Sequence, residues 1–266
     1  MNLRRGLLCG LFPVLACAGA GAAPREVAAF NTYLGGPYRV DAQHGLAQSL
    51  VERLNRKLGP ALHINLNHMP RIRVDAAELS KGARFDGLLL FVNPRFVGDA
   101  AQTRFLWSKP LFFDCNLVIS RAAAPLEYGG PATFGGRRFG GVRGYRYPLI
   151  DDLVRSGALQ REDSQDELSG LRKLARERID LTVMPYSVFS YLATDSALAA
   201  QLHVARKPYE CFARHILVGK SNPALLAALN LAIDGLAADQ EWLRAMAYFH
   251  LDPKALSGWS AQANKD

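Results

Sequence analysis

GLLLFV, Gly87–Val92, is an uninterrupted apolar run about as long as one strand. Runs of this kind belong to strands covered on both faces, as in a parallel sheet with helices on either side. The residues before it fit that setting. Val27–Phe30 reads as a short strand, followed by the loop NTYLGGPYRVDAQHG. Leu46, Leu50, Leu54 and Leu58 then recur every fourth residue with Ala47 and Val51 alongside, an amphipathic helix stopped by Gly59-Pro60. Ile64 and Leu66 alternate with polar neighbours, as in a strand, and a short helix over Val74–Lys81 takes Gly82 as its C-cap. Strand, helix, strand, helix, strand is an α/β unit with a mainly parallel sheet.

Downstream the pattern repeats. The second half of FLWSKPLFFDCNLVISR reads as a strand, a Gly/Pro-rich link (Pro125–Gly136) follows, and Arg138–Val142 is the next strand. Pro148 suits the first position of a helix over Leu149–Arg155 that ends at Gly157. Ser164-Gln165-Asp166-Glu167 has the form of a capping box opening a helix with Leu168, Leu171, Leu174 and Ala175 as its apolar stripe. A strand at Ile179–Met184, a helix at Val188–Ala193 and a strand at Phe212–Val218 come next. Asn222-Pro223 then caps one long helical tail reaching about His250.

The first residues, MNLRRGLLCGLFPVLACAGAGA, combine Arg4 and Arg5, an apolar run over Gly6–Ala18 and a small-residue site at Ala20-Gly21-Ala22. These are the three parts of a cleavable secretory signal, 1–22, which places the mature chain in the periplasm. A second reading, lipid anchoring at Cys17, rests on Val14-Leu15-Ala16-Cys17. The whole chain carries 32 Lys+Arg and 24 Asp+Glu; removing 1–22 takes two of the former and none of the latter, lowering the formal charge from +8 to +6. The arginines are scattered rather than blocked into an arm, and together with export this argues against a nucleic-acid partner. Of the four cysteines, Cys115 and Cys211 remain in the mature chain. No CxxC or Cys/His cluster has metal spacing, and His63 and His68 would lie on opposite faces of a strand, so neither a metal nor a cofactor is expected.

GGVRGYRYP, Gly140–Pro148, occupies the turn from a strand into a helix. In open α/β sheets ligands bind at such turns, outside the carboxyl ends of the strands. Gly144 lets the backbone approach a ligand, Arg143 and Arg146 recognise planar anions, and Tyr145 and Tyr147 offer faces with polar tips. An exposed loop with aromatic packing is the alternative.

The order of motifs resembles the periplasmic solute-binding proteins of the polar amino-acid ABC transport type, family 3. HGLAQSLVERLNRKLG, MPRIRVDAAELSKGARFDGLLL, FLWSKPLF, RRFGGVRGYRYP and LRKLARERIDLTVMP stand where that family has its first helix, its P-aromatic-x-R and G-x-x-D-G segments, its F-S-x-P-Y, its glycine loop and its late strand. The resemblance covers about Val27–His250 and implies the type 2 two-lobed α/β fold, each lobe a mostly parallel sheet flanked by helices, joined by a two-strand hinge. Lobe one is then 23–113 and 212–266, and lobe two 114–211. It further implies a monomer that closes on a small ligand and hands it to an inner-membrane ABC permease. An enzyme of dehydratase type on the same fold, or a receptor feeding a sensor kinase, are the alternatives.

On this register the ligand-binding positions are Tyr33, Tyr38, Arg71, Arg73, Asn93, Arg95, Trp107, Arg143, Gly144, Tyr145, Arg146, Tyr147, Met184 and Tyr186, and none is catalytic. Two departures bear on the ligand. The family's carboxylate-gripping arginine has no clean counterpart, Arg95 and Arg104 being the candidates in a lengthened loop, and Pro185, or Met184 if the register slips by one, stands where an aspartate usually pairs with the ammonium of an amino acid. Arginines without that acid favour an anionic or carboxylate-bearing ligand over a plain amino acid. The same register puts Cys115 and Cys211 at the start of the outgoing and returning hinge strands, where they form either a disulfide or two separate buried thiols.

Overall fold

The computed structural model describes residues 23–251. The expected export signal at 1–22, Cys17 included, lies outside the described residues, as does the stretch 252–266.

The first half follows the expected order: β1 (Arg25–Asn31), α1 (Leu46–Leu58), β2 (Leu62–His68), α2 (Arg71–Ala77) and β3 (Leu88–Val92). β1 lies between β2 and β3 and runs parallel to both. All five residues of β3 are buried, as an uninterrupted apolar run requires of a strand covered on both faces. One boundary differs from the sequence reading. The helix begins at Arg71, because the Pro70 carbonyl accepts from the amides of Arg73 (2.9 Å) and Val74 (3.1 Å) and so nucleates the first turn. Gly82 is then a kink at φ 57° within a 310 segment, Leu79–Arg84.

The chain continues through β4 (Leu106–Trp107) into β5 (Phe112–Arg121), which crosses to the second half. There β6 (Arg138–Val142), α3 (Pro148–Arg155), β7 (Gln160–Ser164), α4 (Glu167–Ala175), β8 (Leu181–Pro185), α5 (Tyr186–Leu192), α6 (Ser196–Ala199) and β9 (Leu202–Val204) follow. β6 runs parallel to β7 and β8, while β8 and β9 are antiparallel to β5. β10 (Glu210–Val218) returns, pairing with β5 from Glu210 to Arg214 and with β3 and β4 beyond it. The strand order is β2-β1-β3-β10-β5-β8-β6-β7, so the sheets of the two lobes are parallel inside and joined by the antiparallel pair β5 and β10.

Two further differences have local causes. β7 is QREDS, with no apolar alternation to announce a strand, and it absorbs Ser164 as its last residue. The cap of α4 is therefore Asp166, whose carboxylate accepts from the Ser169 amide at 2.8 Å, and not Ser164. The helical tail is two helices, α7 (Pro223–Asp234) and α8 (Gln240–Tyr248), the second capped by Asp239. Leu225, Leu229, Trp242 and Met246 of this pair share one core with Leu46, Leu50 and Leu54 of α1. Cys115 and Cys211 stand opposite each other in the β5/β10 ladder, Cα atoms 4.0 Å apart, and are joined as a disulfide.

Candidate functional site

The Gly140–Pro148 turn is shaped from beneath by Arg161 on β7. Its guanidinium donates to Asp163 Oδ1 and Asp151 Oδ1 (2.7 Å each) and to the carbonyls of Val142 (3.2 Å) and Tyr145 (3.1 Å), and lies 5.2 Å from the Tyr147 ring centre. Asp151 in turn accepts from the Tyr147 amide at 2.9 Å, and the Tyr147 hydroxyl accepts from the Val142 amide at 3.1 Å. The turn is thus closed by its own helix and strand, and Tyr147 is buried against Phe139. Gly144, at φ 83°, sits against α2 of the other lobe: a Cβ there would lie 3.0 Å from the Ile72 amide nitrogen.

On the paired hinge strands, Arg214 and Asp114 are both fully buried and bonded Nε to Oδ2 at 2.7 Å. Arg214 also donates to the Tyr33 hydroxyl and to the Phe91 carbonyl, 2.7 Å each, and packs against the rings of Tyr33, Tyr38 and Phe212. Asp114 accepts from the Ser187 hydroxyl (2.5 Å) and the amides of Cys115 (2.9 Å) and Ser187 (3.2 Å). Tyr38 and Ser187 share a hydrogen bond of 2.8 Å. Burial opposes the Arg214 charge, but Tyr33, Tyr38 and Asp114 outweigh it and hold its pKa well above the usual value. Phe91 reaches the guanidinium by adopting φ 59°, an uncommon conformation for a bulky side chain. The hydrogen bonds of the cluster are thus spent largely among its own members, and they tie β10 to β5, to β3 and to the segment after β1.

Between this cluster and the turn lies a cavity of about 40 Å³, with space for one to a few water molecules. Lobe one supplies Thr32, Tyr33, Arg71, Val92 and Phe96; Tyr145, Arg146, Tyr147 and Glu167 face them from lobe two. The lobes are closed over it: the rings of Tyr33 and Tyr145 meet edge to face at 5.7 Å. Arg71 Nε donates to Asp75 (2.7 Å) and Nη2 to the Phe96 carbonyl (2.9 Å). The Arg146 side chain makes no hydrogen bond or ion pair among the described residues, so its five donors are available to a ligand. Glu167, the first residue of α4, is 6% exposed, and its Oε1 has no hydrogen-bond partner among the described residues. Burial pushes the Glu167 carboxyl up to about 7; Asp166 pushes the same way, while its own amide and the Tyr145 hydroxyl pull down. Burial likewise keeps Tyr33 and Tyr145 neutral far above neutral pH.

Of the residues expected at the site, Tyr33, Arg71, Tyr145, Arg146 and Tyr147 line this cavity, and Gly144 sits beside it at the lobe contact. The others lie elsewhere. Tyr38 is fully buried in the hinge cluster, and Met184 is core under α4. Trp107 donates to Asp99 Oδ2 at 2.9 Å and packs on His215. Asn93 caps the turn holding Arg95 and donates to the Ala213 carbonyl at 3.0 Å; Arg95 pairs with Glu210 at 3.1 Å. Arg73 and Arg143 are exposed and outside the cavity wall, and Tyr186, half-buried, packs between two cores. For Met184 the reason is strand phase on β8, and for Tyr38 it is depth, its turn folding the ring under the hinge; a motif register carries neither. Glu167 was legible as a capping acid but not as a cavity residue, because the unforeseen strand β7 sets where α4 begins. Pro185 also lines the cavity, with Asn116 beside it.

No family model and no curated protein matches the sequence. Solved structures do match the fold. An ancestral arginine-binding protein bound to arginine superposes with a TM-score of 0.68 at 13% identity over 84% of this chain and 97% of that chain. The GluR0 ligand-binding core from Nostoc punctiforme, in complex with L-glutamate, gives 0.68 at 12% identity over 86% of this chain and 100% of that chain. An ABC uptake transporter substrate-binding protein from Streptococcus pneumoniae with bound histidine gives 0.67 at 15% identity over 86% and 93%. The class this defines is one of fold: the chain is a two-lobed α/β protein of the periplasmic-binding type.

Proposed function

We propose that the protein binds a small carboxylate-bearing solute in the cleft between its lobes, as an exported binding protein that delivers the solute to an inner-membrane ABC permease. Lobe one comprises 23–113 and 212–266, lobe two 114–211, and residues 1–22 direct export. The observation that carries this reading is the cavity wall, which draws Arg71 from one lobe and Arg146 from the other. Arg146 brings an unspent guanidinium, the side chain best suited to gripping a carboxylate with two parallel hydrogen bonds. The closed cleft holds about 40 Å³, so a ligand enters only when the hinge opens and the lobes re-close around it. The similar structures are bound to arginine, L-glutamate and histidine, which supports an amino-acid-sized solute.

The test is a thermal-shift screen of the mature protein against amino acids, dicarboxylates, aromatic acids and short peptides, followed by calorimetry. A true ligand at 100 times its Kd raises stability by roughly 2.7 kcal/mol. Absence of any stabilising carboxylate in the screen contradicts the reading. One observation favours an enzyme instead: Glu167, with its carboxyl near neutrality, is suited to general acid or base work. Incubating the bound ligand with protein and recovering it unchanged by mass spectrometry supports binding, and conversion supports catalysis.

A further inference from the structure

We propose that Arg95 and Glu210 form a latch across the lobe boundary that holds the ligand-free protein shut, so that two residues outside the cavity wall set the affinity of the cleft for whatever solute it takes. This rests on the reading of the cleft as a solute site that opens and closes at the hinge.

Asn93 and Arg95, expected from the sequence to touch the ligand, instead hold a turn, Pro94–Val97, that lies against the hinge strand β10. The Asn93 side chain donates to the Ala213 carbonyl at 3.0 Å, and Phe96 meets Phe212 edge to face with ring centres 4.8 Å apart. These contacts fix the turn to the lobe-one part of β10. Arg95 reaches beyond them to the first residue of the strand, its Nη2 lying 3.1 Å from Glu210 Oε2 on the lobe-two side. The three steps from Glu210 to Ala213 span roughly 10 Å of strand, so a bend of the hinge there parts the pair.

The lobe-two end of the latch is rigid. Glu210 Oε1 accepts from Asn116 Nδ2 at 3.0 Å, and the neighbouring Cys115 and Cys211 are bonded, so Asn116 and Glu210 move as one piece. The cations just before Glu210 in the chain are turned elsewhere: Arg206 pairs with Glu127 at 3.5 Å, and Lys207 lies over the Tyr128 ring at 5.9 Å. Burial opposes the Glu210 charge, and Arg95 and then Asn116 offset it. The Glu210 side chain is 13% exposed against 44% for Arg95, so opening the cleft leaves a largely dry carboxylate without its counter-charge. The pair therefore favours the closed arrangement. Because it lies outside the cavity wall, it acts on all ligands alike, through the fraction of protein in the closed form.

The test is small-angle X-ray scattering of the ligand-free mature protein beside its Arg95→Ala, Glu210→Gln and Arg95→Lys variants, with the melting temperature of each. Arg95→Ala and Glu210→Gln should show a larger radius of gyration than wild type, and Arg95→Lys, which keeps the charge, should restore most of the difference. An unchanged radius in both, with or without a lower melting temperature, would overturn the latch and leave the pair a local brace. Calorimetry with L-arginine, L-glutamate, L-histidine and succinate adds a second reading. For each of these that binds wild type, Arg95→Ala should raise Kd by one common factor of about two- to fivefold, the worth of a partly exposed ion pair. Factors that differ widely between ligands would overturn the latch by making Arg95 a ligand contact. If none of the four binds, the scattering result still decides the latch, so its failure and that of the solute-binding reading are told apart.

Discussion

Arg214 on β10 and Asp114 on β5 meet at 2.7 Å with both side chains fully buried, on the paired antiparallel strands that join the lobes. Each charge is satisfied on every side, by Tyr33 and the Phe91 carbonyl on one and by Ser187 and two amides on the other. Removing one partner of such a pair strands the other in a dry interior, at a cost of about 3–5 kcal/mol. Asp114→Asn should therefore lower the melting temperature of the empty protein by roughly 6–20 °C, with ligand specificity unchanged in whatever remains folded. A shift under about 2 °C would show that the pair does not brace the hinge.

The arginines of the turn separate into two classes. Arg146→Ala should weaken ligand binding by about ten- to a hundredfold, because it removes a charge-assisted contact from the cavity wall. Arg143→Ala and Arg73→Ala, both exposed and outside that wall, should leave affinity within about twofold, although the sequence alone gives them equal standing. Calorimetry on the three variants decides the matter.

Closure can be probed at Gly144. Its φ of 83° disfavours any other residue, and a Cβ would press on the Ile72 backbone across the cleft. Gly144→Val should reduce affinity more than it reduces the melting temperature, since the clash exists only when the lobes are shut. Equal loss in both would place the effect in the turn itself.

Glu167 gives stability a pH dependence of known sign. Burial raises its carboxyl from an ordinary 4.5 to about 7, so between those values the folded protein holds a proton that the unfolded chain has released. Its contribution to stability is full below pH 4.5 and is lost as pH rises to about 7. The groups around it do not cancel this: Tyr33, Tyr145 and Tyr147 stay neutral, Arg214 stays charged, and Asp166 adds repulsion. Glu167→Gln should therefore melt higher than wild type at pH 8, by about 4–8 °C for ~2 kcal/mol, and the gap should close toward pH 5. A gap independent of pH contradicts the burial of this charge.

The Cys115–Cys211 bond ties the hinge strands over a separation of 96 residues. Denatured without reductant, the protein should take up no alkylating reagent at these positions, and the double serine variant should lose about 2–4 kcal/mol. Two alkyl groups on unreduced protein would contradict the bond.

Much of this architecture was readable in the chain because burial writes itself into residue pattern. GLLLFV announced β3, the four-residue spacing of Leu46 to Leu58 announced α1, and Pro148 and Asn222-Pro223 marked helix starts. What escaped was polar. QREDS pairs as β7 through backbone bonds to β6, with little apolar signal, and its presence moves the start of α4 and carries Glu167 into the cavity. Arg161 and Arg214 were invisible as organisers, since most of their partners lie on other elements of the chain and sequence spacing is silent about that. Five of the expected site residues converged on the cavity because they lie just beyond the ends of three strands, Tyr33 after β1, Arg71 after β2 and Tyr145, Arg146 and Tyr147 after β6; Trp107 and Met184 did not, because strand phase decides where they point, and Tyr38 did not, because its turn buries it in the hinge cluster.

The most direct test is titration calorimetry of the mature protein and of an Arg146→Ala variant against a panel of amino acids, dicarboxylates and aromatic acids. The expected result is saturable one-to-one binding of at least one member to wild type, weakened by about ten- to a hundredfold in the variant, which still folds. Undiminished binding in the variant, or no binding by any member to wild type, would contradict a carboxylate site in this cleft.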